Sequence, residues 1–328
     1  MAFFGTPEIA LPTLEALNLS RHTVATVISQ PDRGRGRGRR RTPSPVSAWA
    51  LDRGVPLLRP ERVGNAESLA FLNEHTPDLG VVIAFGQFIP KSVREQPRLG
   101  YLINAHASLL PRHRGASPIQ AAILAGDEET GISVMRVEKE MDTGAVALAL
   151  KIPIGDREDT GQLTERLGEL AAKAILEAVD QIAEDRVTWR EQDSTQATYA
   201  SRIEKHEGRL DWSESALALV RRIRALAPKP GAFTALPAVS GRGPENLRIL
   251  GARAIPSPPE SVHRPPGRLH RPAAQPSHVW VATGDGWLEL GRVQRSGGRV
   301  LEISDFLRGY PLEEGQILGE EPEAIHGE

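Results

Sequence analysis

Continuous apolar runs alternate with helical patterns along the first part of the chain. These runs occupy residues 1–5, 23–28, 79–85 and 101–105. They are mostly apolar at successive positions, which is typical of parallel strands that helices cover on both faces. Two later segments, 131–137 and 145–152, alternate apolar and polar residues like strands with one exposed face. The pattern therefore predicts an α/β fold built on a mostly parallel sheet.

Helices are predicted between and after these strands. Thr6 is predicted to cap the first helix, because Pro7 and Glu8 suit a first helical turn and apolar residues follow at helical spacing. Further helices are predicted over residues 46–53 and 117–126, and from Thr160 through a long amphipathic stretch. The last of these is predicted to close a first domain, which we place at residues 1–189.

After residue 189 the pattern changes. Residues 190–207 are polar and are predicted to form a linker. A helix over 213–226 is then followed by short strand candidates at 247–252, 279–283 and 287–293. Short strands at close spacing predict a small barrel or sandwich over residues 208–315. The Pro-rich residues 256–276 are predicted to be an exposed loop, and the acidic residues 316–328 a solvated tail.

Composition narrows the functional classes. The 328 residues suit two domains, and 40% hydrophobic with 25% charged residues is typical of a soluble globular protein. Cysteine is absent, which excludes disulfides, thiolate metal sites and a cysteine nucleophile. The chain has no secretory signal pattern and no apolar run near the roughly 18 residues of a membrane span. We therefore expect a cytoplasmic protein without a membrane partner.

One segment stands out by its charge. Residues 33–41 alternate Arg and Gly and then end in three Arg, although the whole chain has a net charge of only −2. The glycines predict a mobile loop rather than a regular element. A dense basic loop can contact phosphates, so we predict an arm that binds a polyanion; a basic loop without a partner is the alternative.

Three polar residues are candidates for catalysis. Asn104 and His106 stand at the end of the strand predicted over 101–105, where parallel sheets bind ligands. Asp142 lies in the turn between the two alternating segments. An amide can donate to an oxyanion, an imidazole can move a proton, and a carboxylate can orient that imidazole. The trio suits acyl transfer without a covalent protein intermediate, whereas the alternative is a set of ordinary turn residues.

Other chemistries find less support in the sequence. No serine lies in a Gly-x-Ser-x-Gly elbow, so a serine nucleophile is not expected. His106 and His113 have no acid or thiol at ligand spacing, so we predict no metal. The turn after the first strand lacks the further glycines of a dinucleotide site.

Several motifs together resemble the methionyl-tRNA formyltransferase family. They are Phe4-Gly5-Thr6-Pro7-Glu8, Gln30-Pro31-Asp32, Thr42-Pro43-Ser44-Pro45, Ser108-Leu109-Leu110-Pro111-Arg112-His113-Arg114-Gly115-Ala116 and Met141-Asp142-Thr143-Gly144. The resemblance covers residues 3–309. It implies a Rossmann-like catalytic domain followed by a small barrel similar to an OB fold that binds tRNA. It also implies formyl transfer from 10-formyltetrahydrofolate to the amino group of methionine on initiator tRNA, by a monomer.

The resemblance assigns roles by position. Asn104, His106 and Asp142 would be catalytic. The folate pocket would be lined by Ser108, Leu109, Leu110 and Pro111, with an apolar wall of Phe85, Gly86, Phe88 and Ile89. The tRNA would contact Arg35, Arg37, Arg39, Arg40 and Arg41.

The chain departs from the family in two places. Only Met1 to Phe4 precede the Gly-Thr-Pro turn, so either the true start lies upstream or the first strand is short. Gly34-Arg35 stands where relatives often have Pro-Ala, which predicts a more mobile arm.

Rival functions remain open on the sequence. A formyltransferase acting on an aminosugar nucleotide would share the trio but would not need the basic arm. Glycinamide ribonucleotide formyltransferases are shorter, and formyltetrahydrofolate hydrolases carry an additional N-terminal domain. A non-catalytic RNA-binding protein would explain the arm and barrel but not the trio.

Overall fold

The computed structural model describes residues 1–35, 40–237, 245–256 and 264–319. By backbone contacts the chain divides into two compact units. The first comprises Met1–Ile119, Glu128–Ile154 and Gln162–Ser201, and the second comprises Gln120–Asp127, Gly155–Gly161 and Arg202–Glu328. The domain and linker boundaries drawn from the sequence stay a prediction.

The strands and helices are numbered in chain order. The strands are β1 (Ala2–Gly5), β2 (Thr26–Ile28), β3 (Arg33–Arg35), β4 (Arg40–Thr42), β5 (Leu57–Leu58), β6 (Gly80–Ile83), β7 (Leu102–His106), β8 (Arg114–Gly115), β9 (Glu129–Arg136), β10 (Val146–Pro153), β11 (Tyr199–Ala200), β12 (Ala232–Ala235), β13 (Asn246–Ile249), β14 (Ala252–Ile255), β15 (Leu269–His270), β16 (Trp280–Ala282), β17 (Trp287–Leu290), β18 (Arg292–Arg295) and β19 (Val300–Glu302). The α-helices are α1 (Leu11–Asn18), α2 (Pro45–Asp52), α3 (Ala66–His75), α4 (Lys91–Arg94), α5 (Pro118–Ala125), α6 (Thr160–Ala183), α7 (Ala216–Leu226) and α8 (Ile303–Gly309). Within the described ranges, no helix combines the length and apolar character that crossing a membrane requires.

A seven-stranded sheet forms the centre of the first unit. Its order is β10-β9-β7-β6-β1-β2-β5, and all neighbouring strands are parallel except at β9 and β10. The short strand β1 pairs with β2 on one side and β6 on the other, and its Phe3 and Phe4 are fully buried. The prediction of a Rossmann-like, mostly parallel sheet is therefore confirmed.

The prediction that Thr6 caps a helix was wrong. A 3-10 turn over Glu8–Ala10 precedes α1, and neither helix start receives a side-chain cap. The Thr6 hydroxyl instead donates to the backbone carbonyl of Phe85 at 3.1 Å and accepts from the backbone N–H of Gln30 at 3.3 Å. It ties together the chain just beyond β1, β2 and β6, because these parallel strands end at the same edge of the sheet.

The prediction of a loop without regular structure over residues 33–41 was wrong at both ends of that segment. β3 and β4 pair antiparallel, with Arg33 opposite Thr42. Alternating Arg and Gly places no bulky apolar group in this hairpin, but backbone pairing satisfies amides and carbonyls of both strands. Arg37 and Arg39, between the two strands, lie outside the described residues.

The second unit contains two four-stranded antiparallel sheets, β12-β13-β18-β19 and β14-β17-β16-β15. Two strands that the sequence predicted as continuous are each divided between these sheets. The interruptions lie at Gly251, between β13 and β14, and at Gly291, between β17 and β18. The Gly291 amide donates to the Gly251 carbonyl at 2.9 Å, and a Cβ on Gly291 would lie only 3.0 Å from that oxygen. Glycine at position 291 therefore lets the two strands approach this closely where each passes from one sheet into the other.

Glu314 joins loop segments of the second unit. Its carboxylate accepts hydrogen bonds from the Arg271 amide and the Arg264 guanidinium, both at 2.6 Å, and from His270 at 3.3 Å. Partial burial alone would raise the pKa of Glu314, but these hydrogen bonds outweigh burial and lower it from 4.5 to about 2. Because the folded state holds the lower pKa, the stabilisation is complete above pH 4.5 and is lost as the pH falls toward 2.

We expect Glu314→Gln to flatten the acid dependence of stability. Between pH 4.5 and 2 the melting temperature of the variant should fall less steeply than that of the wild type, because the variant has no carboxylate to protonate. The effect should be modest, since the side chain is about half exposed. Glu313→Gln, at the exposed neighbouring position, is the control and should follow the wild type. Parallel melting curves for Glu314→Gln and the wild type would contradict the assignment.

Candidate active site

Asn104 and His106 lie on β7, the strand between the parallel and antiparallel parts of the sheet. Asn104 is in register with Val82 of β6 and Met135 of β9, and His106 is opposite Ser133. Residues two apart on a strand point to the same face, so both side chains are presented together at the carboxyl end of β7. β7 includes His106, one residue beyond the predicted end, and this extension fixes the position of the imidazole.

His106 is buried, and each ring nitrogen faces an oxygen. Nε2 donates to the carbonyl of His113 at 2.9 Å. Nδ1 lies 3.6 Å from Oδ2 of Asp142, which is a charge-pair distance rather than a hydrogen bond. A neutral imidazole can donate from only one nitrogen, whereas the imidazolium could donate toward both oxygens.

Asp142 is held in the turn between β9 and β10. Its backbone is left-handed, with φ 56°, which is uncommon for a residue with a side chain. Its Oδ2 accepts the amide of Gly115 in β8 at 2.8 Å. Gly115 has φ 123°, and a Cβ there would collide with the carbonyl of Ala200, so this amide can reach the carboxylate only from a glycine. The structure therefore brings His106 and Asp142 together as the sequence predicted.

Asn104 has a side-chain amide that bonds to none of the residues described by the structure. The residue is half-buried. It shares a strand face with His106, so a ligand at the carboxyl end of β7 could contact both. The catalytic roles of the three residues stay predictions.

The segment from Ser108 to Pro111 is shaped by hydroxyl groups. The buried Ser108 hydroxyl donates to the carbonyl of Arg112 at 2.6 Å. Ser133 donates to the Ser108 carbonyl at 2.8 Å and accepts the Leu110 amide at 3.0 Å. Ser108 thus maintains the loop, while Leu109, Leu110 and Pro111 are only partly buried and remain accessible to a ligand.

The residues predicted as an apolar wall divide into two groups. Phe85 and Ile89 are buried in the core, and the Phe85 ring packs edge-on against Phe4 at a centroid distance of 5.6 Å. Phe88 and Gly86 are exposed. Of these four residues, only Phe88 offers a large side chain to a ligand. Any further contact with a ligand would come from the backbone of this segment.

The basic hairpin is connected to this wall. The Arg33 guanidinium donates to Gln30 Oε1 at 3.0 Å, and Gln30 Nε2 donates to the carbonyl of Phe85 at 2.9 Å. Of the predicted tRNA contacts, Arg41 is exposed on β4. The backbones of Arg35 and Arg40 lie in the hairpin strands, whereas Arg37 and Arg39 are outside the described residues.

Two residues of the site were not found from the sequence. Arg114 is buried, and its guanidinium donates to Oε1 of Gln192. Gln192 lies in the polar segment predicted as a linker, and it also donates to the carbonyl of Asp142. Gln192 has no local signal, because a lone Gln in a polar stretch is usually a surface residue, and Arg114 was noted only as a member of the motif over residues 108–116. Within the described ranges, no group of three or more His, Cys, Asp or Glu is placed to bind a metal.

Comparison with known proteins agrees with this architecture. The family profile described as "Formyl transferase" matches residues 1–179, and "Formyl transferase, C-terminal domain" matches residues 202–311. The methionyl-tRNA formyltransferase of Methylococcus capsulatus is 43% identical over 319 residues, covering 97% of this chain and 99% of that protein. The enzyme of the same name from Thermus thermophilus is 42% identical over 320 residues, covering 98% and 99%.

A solved structure shares the fold at greater distance. WlaRD, a sugar 3N-formyl transferase determined in the presence of dTDP and 5-N-formyl-THF, aligns with a TM-score of 0.63 at 17% identity, over 90% of this chain and 96% of that one. At this identity the likeness concerns the fold alone. The near full-length identity to the two bacterial enzymes goes further: the chain belongs to the methionyl-tRNA formyltransferase family.

Proposed function

We propose that the protein transfers the formyl group of 10-formyltetrahydrofolate to the amino group of methionine on initiator tRNA. The family uses a folate-derived formyl donor. For this protein we propose that the donor is the 10-formyl form. The main support is the His106–Asp142 pair together with Asn104, whose side-chain amide makes no hydrogen bond to any described residue, at the carboxyl end of β7 in a mostly parallel sheet. These groups can stabilise an oxyanion and move a proton without a covalent protein intermediate.

In the proposed reaction the methionyl nitrogen attacks the formyl carbon, and the carbonyl oxygen becomes negatively charged. Asn104 donates its amide N–H to this oxygen, and His106, either protonated or as a neutral hydrogen-bond donor, stabilises the charge from the same strand face. The tetrahedral intermediate then collapses as the bond between the formyl carbon and the folate nitrogen breaks. A preorganised donor of this kind typically contributes about 3–4 kcal/mol to transition-state stabilisation.

The proton released by the amine must reach the folate nitrogen. Oδ2 of Asp142 lies 3.6 Å from Nδ1 of His106, where the carboxylate can orient the ring for proton transfer. We propose that His106, assisted by Asp142, relays this proton through water. This leaves the folate nitrogen protonated and the methionine formylated, with the enzyme returned to its starting charge.

For the acceptor, we propose that the arginines of the β3–β4 segment contact tRNA phosphates. The chain has a net charge of −2, so attraction to a polyanion requires a local cluster of this kind. We propose a second contact through residues 208–315, and we propose that the protein acts in the cytoplasm, where translation starts, as a monomer.

The acceptor can be tested directly. Purified protein is incubated with 10-formyltetrahydrofolate and either methionyl initiator tRNA, methionyl elongator tRNA or a nucleotide-linked aminosugar. We expect formylation of the initiator tRNA in strong preference to the other two. Formylation of the aminosugar alone would establish the rival function, and no formylation of any acceptor would contradict the proposal.

Replacement of the catalytic residues should reduce turnover. We expect Asn104→Ala and His106→Ala each to lower kcat by roughly 10²–10³-fold, because each removes a group that stabilises the oxyanion. Folate binding, measured by calorimetry, should be largely retained. Asn18→Ala, at the exposed end of α1, is the control and should leave both quantities unchanged. Near-normal turnover in both active-site variants would remove them from the mechanism.

Replacement of hairpin arginines should weaken tRNA binding. For Arg37→Ala and Arg41→Ala we expect a lower tRNA affinity and a shallower slope of log K against log salt, by about 1 for each phosphate that the variant no longer neutralises. The folate KM should not change. Arg98→Ala removes an exposed arginine that is paired with Asp78 and serves as the control. If the salt slope is unchanged across the hairpin variants, the arm does not contact phosphates.

A further inference from the structure

Gln192 lies between two parts of the active site. The polar segment that contains it, residues 190–200, contacts the start of β10 at one end and β8 at the other. At one end, Arg190 and Val146 exchange backbone hydrogen bonds of 2.8 and 2.9 Å. At the other end, β11 pairs in parallel with β8. The segment is thus attached on both sides, and Gln192 is directed between the Asp142 turn and β8.

Both the nitrogen and the oxygen of the Gln192 side-chain amide form two hydrogen bonds. Nε2 donates to the carbonyls of Asp142 at 2.9 Å and Gly144 at 2.8 Å. Oε1 accepts from Nε of Arg114 at 3.1 Å and from a terminal nitrogen of the same guanidinium at 2.8 Å. The orientation of the amide follows from chemistry, because carbonyls cannot donate and a guanidinium cannot accept.

The hydrogen bonds from Gln192 stabilise the turn at Asp142–Gly144, whose backbone conformation is unfavourable. Asp142 has a positive φ, which costs free energy for a residue with a side chain and persists only where the surroundings enforce it. Gly144 passes so close to the Arg136 carbonyl that a Cβ would collide with it. Gln192 therefore fixes the backbone of the turn on both sides of Thr143.

The two attachments of Asp142 lead to the same strand. Its carboxylate accepts the amide of Gly115 directly, and its carbonyl reaches the neighbouring residue Arg114 through Gln192. Arg114 is buried, so its hydrogen bonds to Gln192 are costly to break. These bonds form a closed ring of contacts that determines where Oδ2 lies relative to His106.

We propose that Gln192 is a positioning residue for formyl transfer, which holds the Asp142 turn so that Oδ2 faces Nδ1 of His106. This inference rests on the proposed catalytic role of the His106–Asp142 pair. Gln192 does not need to touch either substrate. It acts through Asp142, so its replacement should slow the chemical step and leave substrate binding intact.

The first test is Gln192→Glu. This change preserves the size of the side chain and the bonds from Arg114, but it places an oxygen instead of an N–H against two carbonyls. We expect kcat for initiator tRNA formylation to fall at least about tenfold, because displacement of a catalytic group by even about 1 Å is costly. The KM values for folate donor and tRNA should stay within about twofold of the wild type.

The second test separates positioning from general damage. Gln192→Glu is combined with Asp142→Asn, and rates are measured under single-turnover conditions so that slow variants remain measurable. If Gln192 acts through Asp142, the loss caused by Gln192→Glu should shrink to less than about twofold in the Asp142→Asn background. An equal loss in both backgrounds, or no loss in the wild-type background, would overturn the proposal.

Controls distinguish the possible failures. Gln196→Ala alters an exposed glutamine in the same segment, whose side chain bonds to Asp193, and should keep wild-type activity. If Gln192→Glu does not fold, Gln192→Asn is measured in its place, since its amide is too short to span both sides and the same loss is expected. Wild-type protein without formylation activity would count against the proposed function. An active wild type with a fully active Gln192 variant would count against the positioning role alone.

Discussion

The candidate active site depends on holding a carboxylate of one turn against an imidazole of one strand. His106 is immobilised by β7 and by the carbonyl of His113, but Asp142 belongs to a turn with an unfavourable backbone conformation. The distance of 3.6 Å between Nδ1 of His106 and Oδ2 of Asp142 is maintained only if the backbone of the turn is held in place. β8 provides the fixed point, since the Gly115 amide bonds the carboxylate. β8 is in turn held by β11, so a distant part of the chain completes the site.

Glycine makes several of these close contacts possible. At Gly115 a side chain would meet the backbone of Ala200, and the amide could then not reach Asp142. At Gly251 and Gly291 the backbones of two bending strands touch, which joins the two sheets of the second unit. In both units, a residue without a Cβ allows backbone to pack directly on backbone. The consequence differs: the Asp142 carboxylate is positioned in the first unit, and two antiparallel sheets are joined in the second.

Much of the fold and part of the site could be predicted from the sequence. The parallel sheet followed from continuous apolar runs, and Asn104, His106 and Asp142 were found because strand ends and turns are recognisable locally. The pairing of Arg33–Arg35 with Arg40–Thr42 was missed because propensity rules treat Gly as a strand breaker, whereas antiparallel pairing overrides that weak preference. The Thr6 cap was predicted wrongly for a related reason: its hydroxyl found partners at the ends of two other strands. The local sequence does not indicate which of several possible hydrogen-bond partners a group will have in the folded chain.

Residue type and periodicity were sufficient to identify which groups could do acyl-transfer chemistry and on which edge of the sheet they would lie. Packing alone decided how those groups are oriented. It turned Phe85 into the core and left Phe88 exposed, and it placed Nε2 and Nδ1 of His106 against different oxygens. It also brought Gln192 to Asp142, 50 residues away, and to Arg114, 78 residues away. Periodicity reports the face on which a side chain lies, but hydrogen-bond partners so far apart in the chain are defined only when the complete fold brings them within about 3 Å.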